Sequence, residues 1–147
     1  MLPAAGLEHV LSRATELGVA GFTLVGAERS VARGEKPVRW ATICREAAML
    51  AGRLAVPEVR GPISLREALA FGPAWLLSRG APRRLADIAA ERDLDEITLA
   101  IGPEGGWSAA EEALAGERVA SLGPRNLRAD TAALAATAVW LAVGGDL

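Results

Sequence analysis

Apolar positions along the chain recur at two different spacings, and each spacing predicts a different kind of element. Leu7, Leu11 and Ala14 lie three or four residues apart, and Gly18 follows where such a helix would end. Residues 19–25 and 97–101 are instead short apolar runs with β-branched side chains, which are typical of strands. The full pattern predicts helices over residues 6–17, 37–54, 64–70, 84–92, 108–115 and 129–143, and strands over residues 19–25, 57–61, 74–77, 97–101 and 119–122.

Strands that alternate with helices, each strand a short apolar run, are typical of a parallel sheet with helices on both faces. The predicted fold class is therefore α/β. No repeat or linker interrupts the 147 residues, so we predict one domain over residues 1–147. The final helix, residues 129–143, is apolar on nearly every side and ends at a Gly-Gly pair, so we expect it to be buried on most sides.

Composition and charge narrow the possible functions. The longest uncharged apolar run, residues 132–143, is too short to span a bilayer, and the first residues lack the basic and hydrophobic segments of a secretory signal. We therefore expect a cytoplasmic protein that is not bound to a membrane. One cysteine, Cys44, and one histidine, His9, exclude an internal disulfide and disfavour a zinc site or Cys-His catalysis. No metal site is expected.

The segment after the strand predicted for residues 97–101 carries the strongest chemical signal. It reads Ile-Gly-Pro-Glu-Gly-Gly-Trp-Ser over residues 101–108. Gly105 and Gly106 allow a ligand to approach the backbone closely, and Ser108 with Glu111 forms an S-x-x-E capping box that starts the next helix. Ligands of open α/β sheets bind beyond the carboxyl ends of strands, where this loop is expected.

A second glycine-containing loop, residues 122–128, follows the next strand and leads into the apolar terminal helix. A single Gly-Gly pair more often makes only a tight turn, but two such loops at neighbouring strand ends predict a pocket. Neither loop has the G-x-G-x-x-G or G-x-x-x-x-G-K pattern, so dinucleotides and phosphate-loop nucleotides are disfavoured as ligands.

Four ordered motifs together resemble the RsmE family of SPOUT methyltransferases. The two loops, residues 101–108 and 122–132, form its paired signature. Residues 16–19 match an earlier motif, and Glu-Arg-Ser-Val at residues 28–31 leads into Arg39-Trp40 and Glu46-Ala47 as in the family. The resemblance extends from about residue 10 to residue 132.

The resemblance implies S-adenosylmethionine-dependent methylation of uridine N3 in 16S ribosomal RNA, within the small ribosomal subunit. It also implies a homodimer and a deep C-terminal trefoil knot, in which the terminal helix passes behind the two loops. The cofactor-binding residues that it implies are Leu77, Ile101, Gly102, Glu104, Gly105, Gly106, Leu122, Gly123, Asn126, Leu127, Arg128, Thr131 and Ala132.

Methyl transfer to N3 requires loss of the N3 proton and alignment of the nitrogen with the methyl group. Arg29 or Arg128 is the candidate catalytic residue, because a cation near the uracil oxygens would stabilise the developing anion. Glu104 or Asp130 is an alternative proton acceptor. Arg39 and Arg53 lie seven residues either side of Glu46, which predicts one shared face of the second helix. Together with Arg29, in the polar loop over residues 26–35, they are the candidate RNA-binding residues.

Several features differ from the family pattern. Leu50 replaces a glutamine, Asn126 an isoleucine, Asp130 a glutamate and Arg13 a lysine, and the family's amino-terminal RNA-binding barrel is expected to be absent. The formal net charge of −2 is also unusual for an RNA-binding protein. These features leave open an alternative function, a non-catalytic knotted dimer that binds RNA or a protein partner.

Overall fold

The structure, a computed structural model, describes residues 4–30, 36–91 and 96–147. Residue 31, the last of the motif at residues 28–31, and residue 92, the end of the helix predicted for residues 84–92, lie outside these ranges. The helices are α1 (Ala4–Leu17), α2 (Pro37–Leu50), α3 (Leu65–Ala68), α4 (Leu85–Ala90), α5 (Ala109–Ala115) and α6 (Ala129–Gly144). The strands are β1 (Gly21–Gly26), β2 (Glu58–Ser64), β3 (Ala74–Leu77), β4 (Arg83–Arg84), β5 (Thr98–Ile101) and β6 (Val119–Ser121).

The described strands form two parallel sheets. β1 pairs with β2, while the second sheet has the order β4-β6-β3-β5. Every one of these pairings is parallel, which confirms the predicted α/β class. The sequence pattern predicted a single sheet, and the division into two is a finding of the structure.

Helices cover both faces of the four-stranded sheet, as predicted. Leu76 and Leu77 are neighbours in β3, so their side chains point to opposite faces. Leu77 packs with α4 and with Trp140 of α6, whereas Leu76 packs with α3 and with Ala115 of α5. This arrangement leaves the carboxyl edge of the sheet as the place where loops meet.

Helix α6 packs against α1 and α4, as its apolar composition requires. Ala133 meets Val10 and Ala14 of α1, and Ala136 and Trp140 pack into the sheet cluster. The remaining positions between these are mostly half-buried rather than buried. Within this chain α6 is therefore covered on two sides but not on all, which is less than its composition predicted.

One predicted helix end was wrong and one strand was missed, each for an identifiable reason. Helix α2 was expected to reach residue 54, but it ends at Leu50, and Gly52 then adopts a positive φ of 67° that is incompatible with a continuing helix. Strand β4 was missed because Arg83 and Arg84 are both exposed and give no apolar signal.

Candidate functional site

The carboxyl ends of β5, β3 and β6 lie side by side. Leu77, the last residue of β3, is opposite Ile101 of β5 on one side and Ala120 of β6 on the other. The loops after β5 and β6, residues 102–108 and 122–128, therefore flank the end of β3. We call them the glycine loop and the second loop. The structure thus brings together Leu77, Ile101 and both predicted loops.

The glycine loop is held in shape by its own residues. The Gly106 amide donates to the Pro103 carbonyl at 2.8 Å, and Gly106 has a φ of 69°, which favours glycine. A Cβ added to Gly102 would lie 3.0 Å from the Trp107 indole nitrogen, so glycine is needed there for close packing. That nitrogen donates a buried hydrogen bond of 3.1 Å to the Leu77 carbonyl, which ties the loop to the end of β3.

The second loop approaches the glycine loop through Arg128. Its guanidinium lies 3.7 Å from the Glu104 carboxylate and 3.8 Å from that of Asp130, and its side chain is 73% exposed. Gly123 has a φ of 111°, and nothing lies within 4 Å of a Cβ added there. The other predicted cofactor residues of this region are the half-buried Leu122, Leu127 and Ala132 and the exposed Asn126 and Thr131.

The first turn of α5 connects the glycine loop to two other segments. The predicted capping box of Ser108 and Glu111 is confirmed. In addition, Glu111 accepts a hydrogen bond of 2.9 Å from the backbone amide of Glu28, and Glu112 accepts one of 2.6 Å from the Ser78 hydroxyl. The sequence analysis did not single out Ser78 or Glu112. Ser78 could have been noticed because it directly follows the strand predicted for residues 74–77, at the edge where the loops meet.

Arg29 lies against the glycine loop, although it was predicted to meet RNA or substrate. One guanidinium nitrogen donates to the carbonyls of Gly105 at 3.0 Å and Trp107 at 3.2 Å. Its charge is therefore directed to backbone oxygens of the loop. Its predicted catalytic and RNA-binding roles stay predictions.

Arg39 and Arg53 do not share a helical face, because α2 ends before residue 53. Arg39 forms a two-pronged ion pair with Glu8 of α1, at 2.5 and 2.6 Å. This hydrogen bonding lowers the pKa of Glu8 and raises that of Arg39. Arg53 donates to the carbonyls of Thr15 and Val19, both at 2.8 Å, at the end of α1. Both arginines have partners within this chain, and their assignment to RNA stays a prediction.

A separate groove lies between α1 and α2. It contains Glu8, Glu16, Arg39 and Glu46 and shares no residue with the two loops. No group of His, Cys, Asp and Glu among residues 4–30, 36–91 and 96–147 is arranged to hold a metal ion. No described helix is both long and apolar enough to cross a membrane.

Comparison with known proteins agrees with this arrangement of loops. A family model of the RNA methyltransferase domain matches residues 1–141, which include both loops. The chain belongs to this RNA methyltransferase domain family. The resemblance to the RsmE family, predicted from four motifs, is also confirmed: the chain is 34% identical over 146 residues to ribosomal RNA small subunit methyltransferase E of Synechocystis. That alignment covers 91% of this chain and 48% of the Synechocystis protein.

Two solved structures superpose closely on the chain. Ribosomal RNA small subunit methyltransferase E from Neisseria gonorrhoeae, bound to S-adenosyl methionine, matches with a TM-score of 0.89 and 33% identity. A methyltransferase from Legionella pneumophila, in complex with the same cofactor, matches with a TM-score of 0.87 and 30% identity. Each match covers 97% of this chain and 63% of the solved one, so the chain spans only part of its relatives.

Proposed function

We propose that this chain forms the methyltransferase part of an enzyme that uses S-adenosylmethionine to methylate N3 of a uridine in 16S ribosomal RNA. The observation that carries the proposal is the close superposition, over 97% of the chain, on a small subunit methyltransferase E bound to that cofactor. The site would act within the small ribosomal subunit.

The residues at the strand ends fit such a cofactor. Gly106 and Gly123 both have a positive φ, and a side chain built on either would meet nothing within 4 Å, so their backbones are open to a ligand. Leu77, Ile101 and Leu122 lie beneath them as an apolar floor that continues the sheet cluster. When bound, S-adenosylmethionine would supply an activated methyl group on its sulfonium.

Arg128 is the better placed of the two candidate catalytic arginines. Its side chain is largely exposed, and its contacts to Glu104 and Asp130 are loose, at 3.7 and 3.8 Å. Arg29 is instead hydrogen-bonded to two loop carbonyls. We propose that Arg128 stabilises the negative charge that develops on the uracil oxygens, and that Glu104 or Asp130 accepts the N3 proton.

We also propose the deep trefoil knot. Strands β3 and β4 are both parallel to β6 and flank it on opposite sides, yet only residues 78–82 connect them. Two parallel strands of one sheet normally require a much longer crossover between them. So short a connection must cross the carboxyl end of β6, beside the segment that leads into α6, and this crossing supports a threaded chain.

Dimerisation and RNA binding belong to the same proposal. Five large apolar side chains between residues 38 and 56 are exposed, namely Val38, Met49, Leu50, Leu54 and Val56, and a second copy of the chain would cover such surface. Because this chain has a net charge of −2, we propose that most contacts to RNA phosphates come from a further RNA-binding barrel, like the one expected for the family.

Methyl incorporation into purified small subunits tests this proposal. The subunits are treated either with this chain alone or with a version that carries a family barrel. The nucleosides of the treated RNA are then separated and identified by mass spectrometry. We expect N3-methyluridine in both reactions, at a much lower rate without the barrel. Methylation at another atom or base would contradict the assigned reaction, and equal rates would contradict the role given to the barrel.

A further inference from the structure

Glu111 does more than cap its helix. Its side chain is buried, with 5% exposure, and its two oxygens accept from two separate backbone amides. One oxygen accepts from Ser108 at 2.8 Å, within the capping box, and the other accepts from Glu28 at 2.9 Å, which lies 83 residues earlier in the chain. One buried carboxylate thus joins the start of α5 to the segment that follows β1.

Arg29 makes a second connection from the same segment. Its guanidinium donates to the carbonyls of Gly105 and Trp107, and a Cβ added to Gly105 would lie 3.3 Å from the Arg29 Cβ. The segment after β1 therefore packs directly against the glycine loop. We call Glu28, Arg29 and Glu111 the brace.

The brace helps to hold two peptide planes of the glycine loop. The polar groups of the peptide plane between them have no hydrogen-bond partner in the described residues. The 105–106 plane is held by Arg29 at its carbonyl and by Pro103 at its amide. The 107–108 plane is held by Arg29 at its carbonyl and by Glu111 at its amide. Within the described residues, no hydrogen bond engages the Gly106 carbonyl or the Trp107 amide, the two polar groups of the plane between.

We propose that Glu111 is a positioning residue that, together with Arg29, presents the 106–107 peptide to the cofactor. The proposal rests on the proposed function, because S-adenosylmethionine is the ligand. All of these orienting bonds join groups of the chain itself, and a loop that the protein orders needs less ordering when a ligand binds. In this arrangement Arg29 acts through the loop backbone of its own chain.

The chain contains a matched control for Glu111. Ser64 and Glu67 form a second capping box at the start of α3, but Glu67 is exposed and its side-chain bonds all go to Ser64. A glutamine keeps one acceptor oxygen and presents a donor NH2 group in place of the other. At residue 111 the two amides reach different oxygens, so one bond is lost, whereas at residue 67 one oxygen accepts both bonds and can be retained.

Calorimetric titration with S-adenosylmethionine measures the effect. We expect Glu111→Gln to weaken binding about 10-fold or more, the factor expected for one lost bond to a charged group, and Glu67→Gln to change it by less than about twofold. Arg29→Ala should weaken binding and Arg29→Lys should restore part of the affinity. Equal affinities for Glu111→Gln and wild type would overturn the proposal.

Amide hydrogen exchange on the protein without ligand separates this idea from the proposed function. Glu111→Gln should accelerate exchange at residues 106–108 more than Glu67→Gln does, while exchange in α6 stays slow and shows that the fold is retained. Unchanged exchange in the glycine loop would show that Glu111 does not hold it. Wild-type protein that binds no cofactor would instead overturn the proposed function, and the brace would then be judged by the exchange rates.

Discussion

Trp107 lies between the glycine loop and the end of β3, where its indole both fills space and donates a hydrogen bond. The ring packs over Gly102, and its nitrogen reaches the Leu77 carbonyl. Sequence analysis placed Trp107 at the pocket, but the donor's partner depends on the pairing of β3 with β5, which local sequence does not specify. The hydrogen-bond partner of this side chain is therefore determined by the order of the strands in the sheet.

Replacing Trp107 with phenylalanine should lower the free energy of unfolding by about 1–3 kcal/mol, because the buried Leu77 carbonyl loses its donor. Urea unfolding measures the change. Trp75→Phe is the control, since Trp75 is only half-buried and stacks under Arg83, with the guanidinium carbon 5.7 Å from the ring centroid. Equal losses for the two variants would show that the Trp107 hydrogen bond contributes nothing particular.

The ion pair of Glu8 and Arg39 predicts a pH-dependent contribution to stability. The hydrogen bond from Arg39 lowers the pKa of Glu8 in the folded protein, so the pair stabilises the fold above the carboxyl's unfolded pKa and this contribution is lost as pH falls through the folded value. We expect Arg39→Gln to lower the melting temperature slightly at pH 7, by an amount that shrinks steadily as the pH falls below the ordinary pKa range of a glutamate. A decrease that is the same at every pH would contradict the assignment.

At the level of elements, Arg53 links the end of α1 to the segment that follows α2. Its guanidinium donates to the carbonyls of Thr15, Gly18 and Val19, which lie in the last turn of α1 and just beyond its carboxyl end. A cation at a helix carboxyl end is also favoured by the helix dipole. The structure therefore gives Arg53 a helix-capping role that its charge alone did not reveal.

Arg53→Ala should consequently destabilise the fold by about 1–3 kcal/mol, as expected when bonds from a charged donor to backbone carbonyls are lost. Thermal and urea unfolding provide the measurement. Arg45→Ala, which removes an exposed arginine from α2, is the control and should cost less than about 0.5 kcal/mol. A stable Arg53→Ala protein with reduced RNA affinity would favour the RNA-binding role that the sequence suggested.

Sequence pattern predicted the elements that have an apolar period and missed the ones that lack it. The strands around residues 74–77 and 97–101 and the helix around residues 129–143 were found, whereas β4 was not, because Arg83 and Arg84 are both charged. The positions of the glycine loop and the second loop at neighbouring strand ends could also be predicted, from their glycines. The brace could not, since contact between Glu28 and Glu111 spans 83 residues and leaves no local signal.

For the whole molecule, the proposed homodimer makes a direct prediction about mass. Among the described residues, the apolar side chains between residues 38 and 56 are exposed and one face of α6 is half-buried, and a second chain would cover both surfaces. Sedimentation equilibrium at micromolar concentration should give twice the 15.2 kDa mass of one chain. A single-chain mass that stays constant up to tens of micromolar would exclude a stable dimer.

Titration of the purified protein with S-adenosylmethionine tests the proposed site most directly. We expect saturable binding of one cofactor per chain, weakened at least about fivefold by Gly106→Ala, because roughly 1 kcal/mol of backbone strain at its φ of 69° would distort the loop. Gly116→Ala is the matched control: its φ is 59°, it also faces open space, and it lies at the far end of α5. It should bind as wild type does. A folded wild-type protein that binds no cofactor would contradict the assignment of the two loops and favour a non-catalytic module.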